Sequence, residues 1–370
     1  MKKHLENLMI HRFRGLRELE LSGLGRINLL VGANNSGKTS VLEAVSTYCR
    51  PLDPLEWLNT AWRREMTSSR VPMLDALKWL FPQTNHQTED SLYSGETFVS
   101  GNGDFCVAES HGSYSEILSA DQAEPSEDES LPYASDNIRR GANFSLKAMM
   151  HSRADGPQEI SENFQLWQNE RFVSRQKPRK PILPAATITP FSHWVEQTQI
   201  GQFTEIDLNS KAGEIIEIIK QTEPGISELK ILSPEGIRPI LYIRHDDLGL
   251  SPFSAMGDGV RRTLTIALNM LLAENGILLI DEIETAIHTS ALVSIFRWMA
   301  HISRSLNVQI FATTHSLEAV DAMLESPEDD EGEEDLVIYR LNRTREKTAV
   351  TRLDWDTLCV LRTELGQEVR

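Results

Sequence analysis

The stretch VGANNSGKTS, residues 31–40, constrains this chain more than any other. An apolar run at 27–31 precedes it, and the apolar-periodic positions Val41, Leu42, Ala44 and Val45 follow. That pattern reads as strand, glycine loop, helix. Gly32, Gly37, Lys38 and Thr39 keep the G-x-x-x-x-G-K-[ST] spacing of a phosphate-binding loop. The two glycines let the backbone turn tightly, so that successive N–H groups point inward at phosphate oxygens. The positive end of the following helix adds to that field. Lys38 is placed to reach the β/γ-phosphates and the Thr39 hydroxyl to hold Mg²⁺. The candidate ligand set in the loop is Gly32, Asn34, Asn35, Ser36, Gly37, Lys38, Thr39 and Ser40.

The rest of the composition bounds the class. A length of 370 residues suits about two domains, and 40% hydrophobic with 25% charged residues is ordinary for a globular protein. No run approaches the roughly 18 consecutive apolar residues of a membrane span. The first residues, MKKHLENLMIHRF, hold no apolar core of a secretion signal. Cys49, Cys106 and Cys359 form neither a disulfide framework nor a metal spacing, so a reducing cytoplasm is expected. A net charge of −17 argues against a surface that coats nucleic acid, although a local basic patch remains compatible with it.

Along the chain, LMIHRF and RGLRELELSGL read as short strands, with Leu19 and Leu21 alternating with Glu18 and Glu20. The helix after the loop is expected to end near Cys49–Arg50, because Pro51 and Pro54 follow. Residues 51–200 contain turn formers and aromatics with few periodic runs. Within them, residues 121–130 read as a solvated acidic loop. Residues 171–181, RFVSRQKPRKP, form the densest basic segment: a Pro-bounded solvated loop, or a contact for nucleic acid or an acidic partner. Order returns near 210 with an amphipathic helix in KAGEIIEIIKQTEPG, then strands in ELKILSP and IRPILYIRHDD.

Three further segments bear on chemistry. In PFSAMGDGVRRTLTIALN, a small-residue loop at 254–259 opens a helix, a second anion-binding shape in one chain. In GILLIDEIETAIH, residues 277–280 are wholly apolar, as a strand buried on both faces requires, and Asp281 and Glu282 follow. Adjacent strand residues point to opposite sides, so Asp281 is assigned to the metal and Glu282 to the general base. In VQIFATTHS, another apolar strand ends in Thr313, Thr314 and His315, and His315 is the candidate donor to a γ-phosphate.

The order GANNSGKTS, SAMGDGVRR, ILLIDEIE, FATTHS resembles the ABC-type ATPase heads of the OLD, RecF and SMC group. It most resembles OLD-branch ATPases, including those of phage-defence systems such as PARIS. The resemblance covers residues 1–50 and about 210–345. It implies an α/β ABC-ATPase head: a mixed or parallel sheet carrying the P-loop, an antiparallel β subdomain and a mainly helical insertion. The expected division is a head at 1–50 plus 201–345, an inserted helical or irregular subdomain at 51–200 and a tail at 346–370. By resemblance, Lys38 and Thr39 are the Walker A pair and Asp281 and Glu282 the Walker B pair. Residues 284–288 are the D-loop, and His315 is the switch histidine. Ser254, Gly257, Asp258 and Gly259 are the signature loop, acting in trans. The loop departs from the LSGGQ form, and for the Q-loop only Gln83 and Gln87 stand as candidates.

The resulting expectation is a homo-oligomer, dimeric or higher, that sandwiches ATP and Mg²⁺ between chains, with Lys38, Glu282 and His315 as catalytic residues. Function divides three ways. The first is a regulatory ATPase of anti-phage defence, scaffolding or activating a separately encoded nuclease or toxin. The OLD nuclease domain is expected to be missing, since about 25 residues follow the last head strands. The second is a RecF-like repair ATPase on DNA ends or gaps. The third is an ATP-bound scaffold of slow turnover. Residues 325–335 read as a solvated acidic loop, with a DNA-mimicking or partner-docking role as the alternative.

Overall fold

The computed structural model describes residues 3–64, 72–83, 92–120, 138–152, 156–168, 182–220, 222–236, 238–327, 335–344 and 347–369. The segments 121–130 and 171–181, most of 325–335, and Gln87 lie outside the described residues.

The central sheet has six strands. Its members are β3 (Ile27–Val31), β8 (Ala185–Ile188), β12 (Ile277–Ile280), β13 (Gln309–Thr313), β14 (Leu336–Arg343) and β15 (Thr348–Asp354). The spatial order is β15-β14-β3-β13-β12-β8. β14, β3, β13, β12 and β8 run parallel to their neighbours, and only β15 pairs antiparallel, at one edge. Every residue of β3, β12 and β13 is buried. Their apolar runs follow from that: Leu29 and Val31 enter one core while Leu30 enters the other, on the opposite face.

Helix α1 (Lys38–Cys49) lies in the second of these cores, between the central sheet and an antiparallel sheet. Ten of its residues are buried, so it carries no polar stripe. The first core is covered by α4 (Glu196–Leu208), α5 (Ala212–Ile219), α6 (Asp258–Leu272), α7 (Thr289–Ser305) and α8 (Leu317–Leu324). A small sheet also packs there, formed by β9 (Ile226–Leu232), β10 (Ile240–His245) and β11 (Gly249–Pro252).

The antiparallel sheet corrects one expectation. Among its described residues, the stretch expected to be mainly helical holds two short helices, α2 (Pro54–Trp62) and α3 (Met73–Lys78), before strand structure takes over. β4 (Ser94–Asn102), β5 (Val107–Ala120), β6 (Ile138–Ser152) and β7 (Gly156–Trp167) join β1 (Asn7–Phe13) and β2 (Leu16–Leu21) in the order β2-β1-β4-β5-β6-β7. Hydropathy hid these strands because several inward positions are small or polar: Gly95, Thr97, Ser110 and Gly112 are all buried. A Cβ on Gly112 would lie 2.9 Å from the Trp57 and Phe81 rings. Aromatic side chains from α2 and from the turn after α3 therefore fill the space that an apolar strand residue would otherwise occupy. β8, from the same stretch, is an edge strand of the central sheet.

Candidate functional site

The parallel topology brings the motifs together. β3, β13 and β12 are consecutive in the sheet, so the glycine loop, Thr313–His315 and Asp281–Glu282 leave it side by side at one end, where α/β sheets form their crevice.

The loop has the backbone that its glycines predict. Gly32 (φ 148°), Asn35 (φ 63°) and Gly37 (φ 102°) all take left-handed conformations. A Cβ on Gly32 would stand 2.4 Å from the Leu341 carbonyl oxygen, so β14 approaches too closely for any side chain. Gly37 caps α1 without a side-chain hydrogen bond, and no acidic residue occupies the first turn. The N–H groups there and the helix dipole are left for an external anion. Ser36 Oγ is buried in the loop with no partner, a donor suited to a phosphate oxygen. Lys38 Nζ donates to the carbonyls of Gly32 (2.7 Å) and Ala33 (3.1 Å), which keep the ammonium at the loop. Burial lowers its pKa, against the pull of Asp281, Glu282 and Glu284.

Thr39 Oγ1 donates to both carboxylate oxygens of Asp281, each at 3.2 Å, joining motifs 242 residues apart in the chain. Thr313 Oγ1 donates to Asp281 Oδ1 at 2.6 Å and accepts from the Glu282 backbone N–H at 2.9 Å. Burial pushes the Asp281 carboxyl upward, and the two threonine hydroxyls oppose that shift. Glu282 sits at φ 49°, a left-handed strain that turns its side chain away from the strand line; its carboxylate accepts from Thr285 Oγ1 at 3.1 Å. His315 follows β13, with its side chain 52% exposed and its Nδ1 3.8 Å from Glu284 Oε1.

Residues 254–259 end in the exposed cap of α6, where Ser254, Gly257 and Asp258 are exposed and Gly259 half-buried. None of them lines the cavity beside the glycine loop. Like α1, α6 starts on a glycine with no side-chain cap, but Asp258 stands in its first turn, 3.4 Å from Arg261. The motif sequence therefore forms two uncapped helix starts, the first bonded to Asp281 through Thr39 and the second tied to the Asp281–Glu282 turn through Arg262.

Several groups escaped the sequence reading. Thr313 bonds both Asp281 and Glu282, yet in the sequence it is one polar residue at a strand end. Arg262 is fully buried under the Asp-Glu turn: its Nη1 donates to Thr189 O at 2.6 Å, and its Nη2 to Asp281 O (3.2 Å) and Glu282 O (3.0 Å). Burial pushes its pKa down to about 10. Glu43, buried in α1, is held by Arg14 at 2.6 Å and Arg64 at 2.8 Å. A cavity of about 680 Å³ opens beside Asn35, Ser36, Gly37 and Ser40, with Arg14, Arg17, Arg343, Trp79 and Tyr93 in its walls. The arginines and aromatics among these carry no motif signal, since they come from separate stretches of chain. Gln83 also lines this cavity. The turn after β8, at Thr189, lies next to Asp281, whose N–H bonds the Ile188 carbonyl.

Known proteins resemble this chain in three ways. The family model described as "AAA domain, putative AbiEii toxin, Type IV TA system" matches residues 27–321. Among relatives, the uncharacterized protein MJECL11 of Methanocaldococcus jannaschii is 36% identical over 31% of this chain and 99% of its own length. The DNA replication and repair protein RecF of Acinetobacter baumannii is 28% identical over 35% of this chain, which spans only 34% of that protein. A protein of Helicobacter pylori named ATP/GTP phosphatase is 22% identical over 86% of this chain and 87% of its own. Among solved structures, an SMC head bound to the C-winged helix domain of ScpA superposes with a TM-score of 0.50 at 13% identity, covering 95% of this chain and 99% of that one. That likeness shows the fold: an α/β ATPase head with mixed and antiparallel sheets. Among the described residues, no helix is long and apolar enough to cross a membrane, which says nothing of β-barrels.

Proposed function

The chain belongs to the AAA_21 family, whose description reads "AAA domain, putative AbiEii toxin, Type IV TA system", and its fold is that of an ABC-type ATPase head; from that premise we propose that two copies clamp ATP between them and hydrolyse it. The carrying observation is the Thr39–Asp281 contact, which couples the loop that takes phosphate to the carboxylates that take metal and water.

Each residue has a physical task. Backbone N–H groups of residues 32–39 and the α1 dipole take the phosphate charge, with Lys38 and the Ser36 hydroxyl adding donors. The Thr39 hydroxyl and the Asp281 carboxylate fit Mg²⁺, a hard cation that prefers oxygen; bound there, it would neutralise charge on the β/γ-phosphates. Glu282 orients a water and draws off its proton. His315, largely open to solvent, donates to the γ-phosphate. Ser254, Gly257, Asp258 and Gly259 meet the triphosphate of a second copy. Their exposure, the uncapped start of α6 and the exposed Phe191 and Trp194 near that start support this reading.

The test is turnover and mass together. Purified chain is expected to release phosphate from ATP and to double its mass in solution with ATP and Mg²⁺. A Lys38→Ala variant that hydrolyses ATP as fast as the parent would refute the assignment.

The finer reading makes the chain a cytoplasmic regulator that scaffolds or activates a separate effector, nuclease or toxin, in anti-phage defence. The motif order supports it. Purifying the chain with the products of adjacent genes tests it, and absence of any co-purifying partner counts against it. The RecF-like alternative rests on the likeness to RecF over residues of this head. It predicts DNA-stimulated hydrolysis that weakens steeply with salt.

A further inference from the structure

The strand that delivers the 254–259 loop has little hold on the core. β11 pairs with β10 from Tyr242↔Pro252 to His245↔Gly249, and its Gly249, Leu250 and Pro252 are exposed. Phe253 follows and is buried, and Ser254 begins the loop. The position of β11 therefore depends on its ladder with β10 and on the three-residue tip between them, residues 246–248.

A side chain caps that tip. His245 is 8% exposed. Its Nδ1 accepts the Asp247 N–H at 3.1 Å and the Leu248 N–H at 3.4 Å. A ring nitrogen that accepts carries no hydrogen, so the proton of the neutral ring sits on Nε2, which donates to Glu223 Oε1 at 3.2 Å. The ring lies against Gly225, where a Cβ would stand 2.6 Å from Nε2. The Gly225 carbonyl in turn accepts the Asp246 N–H at 2.9 Å.

The charged surroundings of the ring are Glu223, which bonds it, and Asp246 and Asp247 on the tip. On β9, Glu228 is spent on Arg244 and Lys230. On α5, which packs on β9, Glu217 pairs with Lys220. On α4, Glu196 accepts the Leu241 N–H. β11 carries no charged side chain. A second proton on the ring must go to Nδ1. Glu223 then still holds Nε2, but the Asp247 and Leu248 N–H groups lose their acceptor and meet an N–H⁺ instead. The capped tip needs the neutral ring, so the cap is present at higher pH and lost as pH falls.

Resting on the dimeric ATPase reading above, we propose that His245 is a positioning residue for the 254–259 loop. Its neutral imidazole locks the tip; its protonation releases the tip, loosens β11 and weakens the ATP-driven pairing of two copies. His245 touches no substrate and acts through β11.

The experiment uses the full chain with His245→Asn and His245→Phe. Asparagine Oδ1 takes the place of Nδ1 as acceptor and does not titrate; phenylalanine fills the space and accepts nothing. The tip is read by hydrogen-exchange protection of the Asp247 and Leu248 amides, corrected for the intrinsic effect of pH. Pairing is read by light scattering as the dissociation constant of the ATP-bound dimer. Both are followed across about pH 5–8, where imidazoles gain their proton. Protection in the parent is expected to fall about tenfold toward the acid end, to stay flat in His245→Asn and to be low throughout in His245→Phe. Over the same range the parent dimer should weaken about tenfold relative to that of His245→Asn, a ratio from which titration of ATP and of shared groups cancels. Rescue by asparagine separates an acceptor role from a packing role, and that variant with the pH series carries the test if His245→Phe does not fold. Flat protection in the parent, or equal loss in the parent and His245→Asn, would overturn the cap. A tip that uncaps while the dimer ratio holds steady would overturn the link to the loop alone. A parent that never pairs with ATP would overturn the dimeric reading and that link together, with the amide data still deciding the cap.

Discussion

Asp281 and Thr39 share a hydrogen bond that spans the crevice, with the threonine hydroxyl equidistant, at 3.2 Å, from both carboxylate oxygens. Asp281 is nevertheless a half-buried anion whose carboxylate has only hydroxyl hydrogen-bond partners among the described residues, and burial opposes its charge. In the proposed reading a cation bound there would relieve that cost, so the site trades stability for function. Asp281→Asn is expected to melt a few degrees above the parent without nucleotide while losing ATP turnover. Calorimetry beside a phosphate-release assay checks both, and a lower melting point would count against the idea.

Glu282 carries the proton transfer in this reading. Glu282→Gln keeps the size of the side chain and removes its basicity. Turnover is expected to fall about 10²–10⁴-fold. Because binding is spared, the variant should accumulate as an ATP-bound dimer, visible as doubled mass by light scattering.

Gly257 separates docking from folding. A Cβ at this position meets nothing within 4 Å, and its φ of −62° suits any residue. Gly257→Glu should fold normally and bind a fluorescent ATP analogue as the parent does. It should not dimerise with ATP, since a carboxylate would then face a triphosphate. Retained dimerisation would show that the 254–259 loop lies outside the interface.

Gly32 makes the opposite case. A methyl group there would collide with the Leu341 carbonyl oxygen at 2.4 Å, on a backbone at φ 148°. Gly32→Ala is expected to cost roughly 1–3 kcal/mol in denaturant unfolding. Nucleotide affinity should fall as well, because the loop must re-form to relieve the clash.

Glu43 neutralises Arg14 and Arg64 from within α1, and its side chain is 3% exposed. Removing one partner of a buried ion pair strands the other. Glu43→Ala is therefore expected to destabilise the chain by roughly 3–5 kcal/mol, with the half-exposed Arg64 softening the loss. Urea titration followed by tryptophan fluorescence checks the figure.

What the sequence determined by itself was whatever depends on neighbours along the chain. Loop chemistry is local, so Gly32, Gly37, Lys38 and Thr39 could be read from spacing. A strand buried on both faces is largely apolar, so residues 27–31, 277–280 and the strand before His315 were legible as strands, the second of them as one buried in a parallel sheet. The tertiary structure alone decided what depends on pairing across distance. The strands at 94–167 were hidden because Gly112 and its polar neighbours face a core filled by aromatics from another segment. Thr313 became a partner of Asp281, and Arg262 of the Asp281 and Glu282 carbonyls, only because the sheet order sets β13 beside β12 and packs α6 beneath them. A hydrogen bond between residues tens or hundreds of positions apart leaves no period in the sequence; it exists only once the sheet has fixed which ends are neighbours.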